Sequence, residues 1–454
     1  MTKQQRLVLI VAIFASFVAF LDGSVVNVAL PAIVRDFGGG LVLQQWVVDA
    51  YLLTLGSLIL VAGSLSDLFG RKKVLFAGLV GFAITSLMCA LAPHGSFLVV
   101  ARALQGVAGA LLVPSSLAII ISTFSGRATG KAIGIWTAWT GIAFVVGPLL
   151  GGFLVDAASW RLIFAINLLP IAVTLALMAR VRRQEIISKG VRVDIAGAVL
   201  CTIGLGGVVY ALIEQGRFGW SSPSIYIPFV LGLAALVLFL RHEKRTPEPM
   251  LPLGLFRVRN FSVGNIATVA IYAGLSVATF LIGIFVQQVG GYSALAAGMA
   301  LLPVTIIMFV LSPRFGSLAA NYGPRFFMSA GPIVAGAGFL LLLLVDSSVS
   351  YWTQIFPGVL LFGLGLSMTV APLTTAILAS ISKDHAGIGS AANNAIARIA
   401  GLLAIAGLGV VTGTTLDLDG FRRGVVAMAL LLIIGGLVSV AGIVNPPRRA
   451  RKKR

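Results

Sequence analysis

LVLIVAIFASFVAFLDGSVVNVALP, Leu7–Pro31, is an unbroken apolar run whose only formal charge is Asp22. A helix rises 1.5 Å per residue, so about 20 such residues cross the hydrocarbon core of a bilayer. The run is too long for a secretory leader, carries a carboxylate, lacks a small-residue cleavage site and leads directly into a second apolar run. It therefore reads as a membrane span. The rest of the chain repeats the pattern. Of the 454 residues 58% are hydrophobic and 10% charged, with mean hydropathy +1.04, whereas a soluble chain carries about a quarter charged residues. Continuous runs exclude a membrane β-barrel, whose strands alternate. Cys89 and Cys201 fall inside apolar runs and read as small buried side chains, without a redox or metal role.

Counted outward from that first run, helices are expected at about 7–31, 44–66, 74–92, 97–122, 131–154, 160–179, 194–213, 224–240, 260–287, 294–315, 326–345, 353–379, 386–411 and 422–444. Fourteen spans place both termini on one side. With that side cytoplasmic, 26 of the 33 Lys and Arg lie inside, and Arg35, Arg161, Arg217, Arg422 and Arg423 lie outside. The net charge of +19 is thus a topology signal, and the terminal RRARKKR reads as an anchor to anionic lipid in preference to a nucleic-acid arm. The longest inner segments, RVRRQEIISKGVRVD (180–194) and RHEKRTPEPMLPLGLFRVRN (241–260), divide the spans six, two, six. The expected layout is an N-terminal six-helix bundle (1–180), a linker with two inserted helices (181–250), a C-terminal six-helix bundle (251–445) and a basic cytoplasmic tail (446–454). GSLSDLFGRKK (63–73) and GSLAANYGPRF (316–326) stand at matching places in the two bundles and look like an internal repeat.

Charge at membrane depth costs roughly 2.5–3.5 kcal/mol on insertion scales and marks pathways. Most of the 14 acids lie in loops or at helix ends; Asp22 and Asp49 lie inside spans. Counted from the outer helix ends, their depths differ by about 5 Å. Arg102 sits at a comparable level, on one face with Gln105, Gly106 and Gly109. The three charges are expected to meet. One reading is a buried ion pair that fixes helix packing. The other is a proton site, because burial penalises the charged form of a carboxyl and a nearby guanidinium favours it. The second half has no acid at depth. Arg398, beside Asn393 and Asn394, either neutralises the first-half carboxylates across a central cavity or bonds backbone carbonyls. Trp46, Tyr51, Gln105, Trp136, Trp139, Asn394 and Arg398 are the candidate cavity residues, the aromatics offering faces to a lipophilic or cationic substrate.

Several motifs carry a family likeness. LDGSVVNVALP (21–31) resembles the signature of fourteen-span drug/proton antiporters, with Ser24 where Thr is usual. GSLSDLFGRKK is similar to the inner-loop motif of the major facilitator superfamily. There Gly63 would allow close helix approach, Asp67 would cap a helix or pair with Arg, Gly70 would make the turn, and Arg71, Lys72 and Lys73 would hold the inner face; Leu68 replaces the usual base, and Ala320 replaces the Asp in the second copy. RALQGVAGALLVP (102–114) resembles the motif whose Arg is associated with proton coupling. GIWTAWTGIAFVVGPLLGG, which starts at Gly134 (134–152), resembles the antiporter motif, with Ala143 for a usual Gly; Gly147, Pro148, Gly151 and Gly152 would form a bending seam. WRLIFAINLLP (160–170) completes the set.

The resemblance implies a major facilitator fold, an all-α polytopic protein of the plasma (inner) membrane with both termini cytoplasmic. It implies proton-coupled efflux of small lipophilic or cationic compounds, with protons and the bilayer as partners. The chain has no phosphate-binding GxxxxGK[ST], and His94, His242 and His385 lack metal-ligand spacing, so no enzyme, cofactor, metal or nucleic-acid role is expected. An exporter of a lipid, siderophore or self-made antibiotic remains open. A proton-coupled importer lacks its ExxER-type cluster, and a non-transporting sensor would carry a larger soluble domain.

Overall fold

A computed structural model describes residues 1–181, 193–382 and 385–445. Most of the linker before the seventh span and the basic tail 446–454 lie outside the described residues. Among these residues there is no strand, and fourteen helices are long and apolar enough to cross a membrane. They are α1 (Lys3–Phe37), α2 (Gly40–Phe69), α3 (Arg71–Ala90), α4 (Gly95–Thr123), α5 (Ala128–Ala157), α6 (Leu162–Ala179), α7 (Ile195–Phe218), α8 (Pro223–Arg245), α9 (Arg259–Gln288), α10 (Ala294–Tyr322), α11 (Pro324–Leu344), α12 (Tyr351–Ala379), α13 (Gly387–Thr412) and α14 (Leu418–Gly442). Each falls on an expected span, and several, α1, α2, α5, α7, α8 and α10 among them, run a turn or more longer, because helices continue through the headgroup region beyond the apolar core.

Chain reversal after α1 uses Gly38, Gly39 and Gly40 in succession, all at positive φ (72°, 85° and 56°), a backbone that side chains penalise. The two repeat motifs fold alike: Gly70 and Gly323 both have φ 94° and both end one span and begin the next. Three helices are interrupted: α6 at Ile166 and Asn167, α10 at Leu301 and α13 at Gly407.

In the first half α4 packs against α1, α2 and α3, while α5 and α6 lie on α1. In the second half α12 packs against α10 and α11, and α14 against α9 and α11. The halves touch through α1–α9, α2–α13 and α5–α10. Of the inserted pair, α7 packs on both α2 and α13, so it covers the seam between the halves; α8 packs on α7. α8 turns Tyr226, Ile227, Val230, Leu231, Val237 and Leu238 outward, as expected of a helix whose solvent is lipid. The hairpin is pinned at the start of α7 by Asp194, which caps α7 by accepting from Gly197 N (2.8 Å) and meets His242 Nε2 at 2.8 Å. Burial pushes the Asp194 carboxyl up, but the Gly197 amide and its side-chain partners outweigh this and hold it below the usual carboxylate range.

Candidate functional site

The interior of the first half is organised around Asp22 on α1. Arg102 NH1 lies 2.5 Å from Asp22 Oδ2. Gln105 Nε2 (3.0 Å) and Asn167 Nδ2 (2.9 Å) both donate to Asp22 Oδ1. Arg102 also donates to Gln105 Oε1 (2.7 Å) and, through Nε, to Val47 O (2.9 Å), and Gln105 donates to Ser86 Oγ at 2.9 Å. Asp22, Arg102, Gln105 and Asn167 are all at most 1% exposed. Local sequence explains the assembly. Gly106 and Gly109 leave α4 no side chain where it crosses α2, and a Cβ at Gly106 would collide with Thr54 Oγ1 and Tyr51 O. That approach lays the Tyr51 ring 4.3 Å from the Arg102 guanidinium carbon. The break in α6 brings Asn167 to the same point. A carboxylate with a guanidinium and two amide donors is fully satisfied, which is the condition for a buried charge to be tolerated.

Asp49 does not join this cluster, contrary to the expectation that the three charges meet. It is fully buried, and neither carboxyl oxygen has a hydrogen-bond partner among the described residues. Its level in the membrane matches Arg102, but its direction differs. Gln45, Asp49, Leu52 and Gly56 share one face of α2. At both ends of that stripe the neighbour is α13: Gln45 Nε2 donates to Ile405 O (2.6 Å) and Ala406 O (3.2 Å), and Gly56 lies against Ile399 and Arg398. Those two carbonyls are free because α13 breaks at Gly407. Asp49 is thus enclosed where the halves meet.

Among the described residues, every hydrogen bond between residues 1–181 and 251–445 lies at one end of the molecule, that of the α1–α2 and α9–α10 turns. Besides the Gln45 pair, Gln287 Nε2 donates to Val28 O (3.1 Å), and the Asp156 carboxyl accepts from Ala294 N (3.0 Å) and Leu295 N (2.8 Å). Glycines of the 134–152 motif close the same end. A Cβ at Gly147 would strike Ser24, one at Gly151 would strike Val25, and one at Gly152 would lie 2.5 Å from Leu295 Cα. Pro148 faces Gly298 across the seam. Gly152→Ala is expected to cost the closed end about 1–3 kcal/mol. A membrane-impermeant maleimide should then label Gln287→Cys severalfold faster; an unchanged rate would mean the seam relaxes without opening.

At the opposite end, Arg71 pairs with Asp67 (3.0 Å) and donates to Ala118 O (3.0 Å), while Lys72 Nζ donates to Val181 O at 2.6 Å. These contacts join α2, α3, α4 and α6 within one half. Gly63 and Gly134 do not serve close approach: a Cβ at either meets nothing within 4 Å, since both face open space.

Three expected cavity residues are placed otherwise. Tyr51 and Gln105 are sealed in the Asp22 cluster. Trp46 Nε1 donates to Glu214 Oε1 (2.8 Å) between α2 and α7. Trp136 Nε1 donates to Ser16 Oγ (3.1 Å), Trp139 is 54% exposed, and Arg398 Nε donates to Asn394 Oδ1 at 3.1 Å. Asn167, Ser86 and the buried acid Glu214 are additions. Asn167 lies inside WRLIFAINLLP, and an amide in an apolar run is the signal that marks it.

The sequence profile of the Major Facilitator Superfamily matches residues 12–405. The chain is 34% identical to a methylenomycin A resistance protein of Bacillus subtilis over 89% of this chain and 87% of that one. It is 32% identical to a methylenomycin A resistance protein of Streptomyces coelicolor (97% and 93%), and 33% identical to the multidrug resistance protein Stp of Mycobacterium tuberculosis (99% and 85%). Its fold superposes on a peptide transporter POT bound to sulfate (TM-score 0.70, 15% identity, 97% and 94% covered). It also superposes on a bacterial homologue of the human lysosomal transporter Spinster in an inward-facing, unoccupied conformation (TM-score 0.71, 14% identity, 97% of each chain). With fourteen membrane-length helices and a profile match across most of its length, the chain is an integral multi-pass membrane protein and belongs to the Major Facilitator Superfamily.

Proposed function

We propose that the protein exports small lipophilic compounds, antibiotics among them, in exchange for protons. Export draws support from relatives named for antibiotic and multidrug resistance. Proton exchange draws support from one observation: the interior of the first six spans holds two acids in opposite circumstances, Asp22 saturated by donors and Asp49 with none. In this reading Asp22 stays ionised against Arg102 and holds the first half together. Asp49 carries the proton. With the outer seam shut, a bare carboxylate on Asp49 would sit in an apolar contact without a counter-charge, so the seam closes on the protonated form. In the inward-open state the proton then leaves Asp49 to the inside through the cavity, the bare carboxylate loosens the seam, and opening it parts α2 from α13 and lets Asp49 reload from the outside water.

The six, two, six division is part of the same reading: residues 1–180 and 251–445 rock about the centre, and the inserted pair rides on the seam. Both termini lie in the cytoplasm of an inner membrane, the side favoured by Lys and Arg. The closed end is then the outer one, and the cavity opens inward.

The test uses vesicles holding a trapped pH dye with no imposed gradient. Adding a transported compound outside should raise the internal pH as protons leave in exchange. Compounds that enter with no pH change would end the antiport reading.

A further inference from the structure

α1 is a central helix, with 72% of its core window buried, yet Gly23 in its middle is exposed and Phe20 and Asn27 are partly so. That face looks onto the space between the halves. Arg398 of α13 stands across it. Its guanidinium carbon lies 5.9 Å from the Phe20 ring centroid, and the Phe144 ring lies 5.5 Å from Phe20, tilted by 58°. Arg398 Nε is held by Asn394, whereas NH1 and NH2 have no hydrogen bond and no acidic partner among the described residues. Neither acid in the interior of the first six spans answers this charge: Asp22 is taken up by Arg102, and Asp49 is enclosed at the seam. Among the described residues, the one acid within a span of residues 251–445 is Asp419, in the first turn of α14.

We propose that Arg398 sets substrate charge: the cavity prefers lipophilic aromatic molecules bearing a carboxylate over cations of the same shape. The free NH1/NH2 fork matches the two oxygens of a carboxylate, a pairing favoured by geometry as well as charge. Phe20 and Phe144 cover the apolar body. A cation in the same place meets an unscreened guanidinium and no acid, and in a low-dielectric cavity that repulsion is not screened as it is in water. The inference rests on the export reading, from which the cavity takes its role as a substrate site.

Three probes sharing one ring separate the possibilities: pyrenebutyrate, pyrenebutyramide and pyrenylbutyl-trimethylammonium. Each is titrated by fluorescence anisotropy into wild type, Arg398→Gln and Arg398→Lys in lipid nanodiscs, with empty discs as the blank. Wild type should bind the carboxylate about tenfold tighter than the amide, the worth of one charge-assisted contact, and the cation no tighter than the amide. Arg398→Gln should bring the carboxylate down to about the amide's affinity, and continued binding of the amide shows that the variant is folded. Arg398→Lys should keep part of the preference. The proposal falls if the cation binds tightest, if Arg398→Gln leaves carboxylate affinity unmoved, or if no probe binds. Binding needs no proton gradient, so a failure of proton exchange in vesicles would count against export coupling and leave this result standing.

Discussion

Asp49→Asn is expected to reduce substrate-evoked proton movement to background while leaving the protein as stable as wild type. An asparagine is nearly the shape of a protonated aspartate and is always neutral, and no partner among the described residues would be lost because Asp49 has none. In the proposed cycle the seam should therefore close on Asn as on the protonated acid. What disappears is the ability to unload. Exchange of labelled for unlabelled substrate needs only the alternating movement and should survive, whereas uphill export driven by a pH gradient should be lost. Retention of gradient-driven export by Asp49→Asn would remove Asp49 from the proton path.

Asp22→Asn should behave in the opposite manner. It removes the counter-charge of an Arg102 that is 1% exposed and leaves a buried guanidinium with only neutral acceptors, Gln105 Oε1 and Val47 O. Breaking a buried pair from one side costs about 3–5 kcal/mol, which in thermal unfolding in detergent should lower the apparent midpoint by about 5–10 °C. Removing both charges in Asp22→Asn/Arg102→Gln should restore much of the loss, because the penalty comes from the survivor and not from the missing bond. If Asp22→Asn melts like wild type yet no longer couples, the roles of the two acids are reversed.

Fourteen spans were legible because bilayer thickness sets the length of each apolar run, and no other solvent imposes that ruler. Asp22 and Arg102 were legible as partners because charges at depth are few and must find one another. Asp49 was misread for a definite reason. Counting residues along a helix gives depth, but whether two side chains at one depth meet depends on their direction around the axis, and Asp49 points with Gln45 and Gly56 toward α13. Glycines posed the same difficulty. Gly152 is pressed against Leu295 and Gly63 faces nothing, and composition alone treats them alike. Asn167 and Ser86 went unnoticed because an uncharged polar residue in an apolar run usually bonds its own backbone. Glu214 looked like a loop residue because α7 runs to Phe218, several residues past its expected end.

If Arg398 selects carboxylates as proposed, membrane voltage becomes a direct driver of their export. A neutral cargo exchanged for one proton carries one elementary charge inward per cycle. A carboxylate leaving as a proton enters carries the equivalent of two. At about 2.3 kcal/mol per charge per 100 mV, the second cycle draws about 4.6 kcal/mol from voltage alone, enough for roughly three decades of concentration. Export of acids by this protein should then continue in a cell that has lost its pH difference but kept its membrane potential, and should stall when the potential is short-circuited.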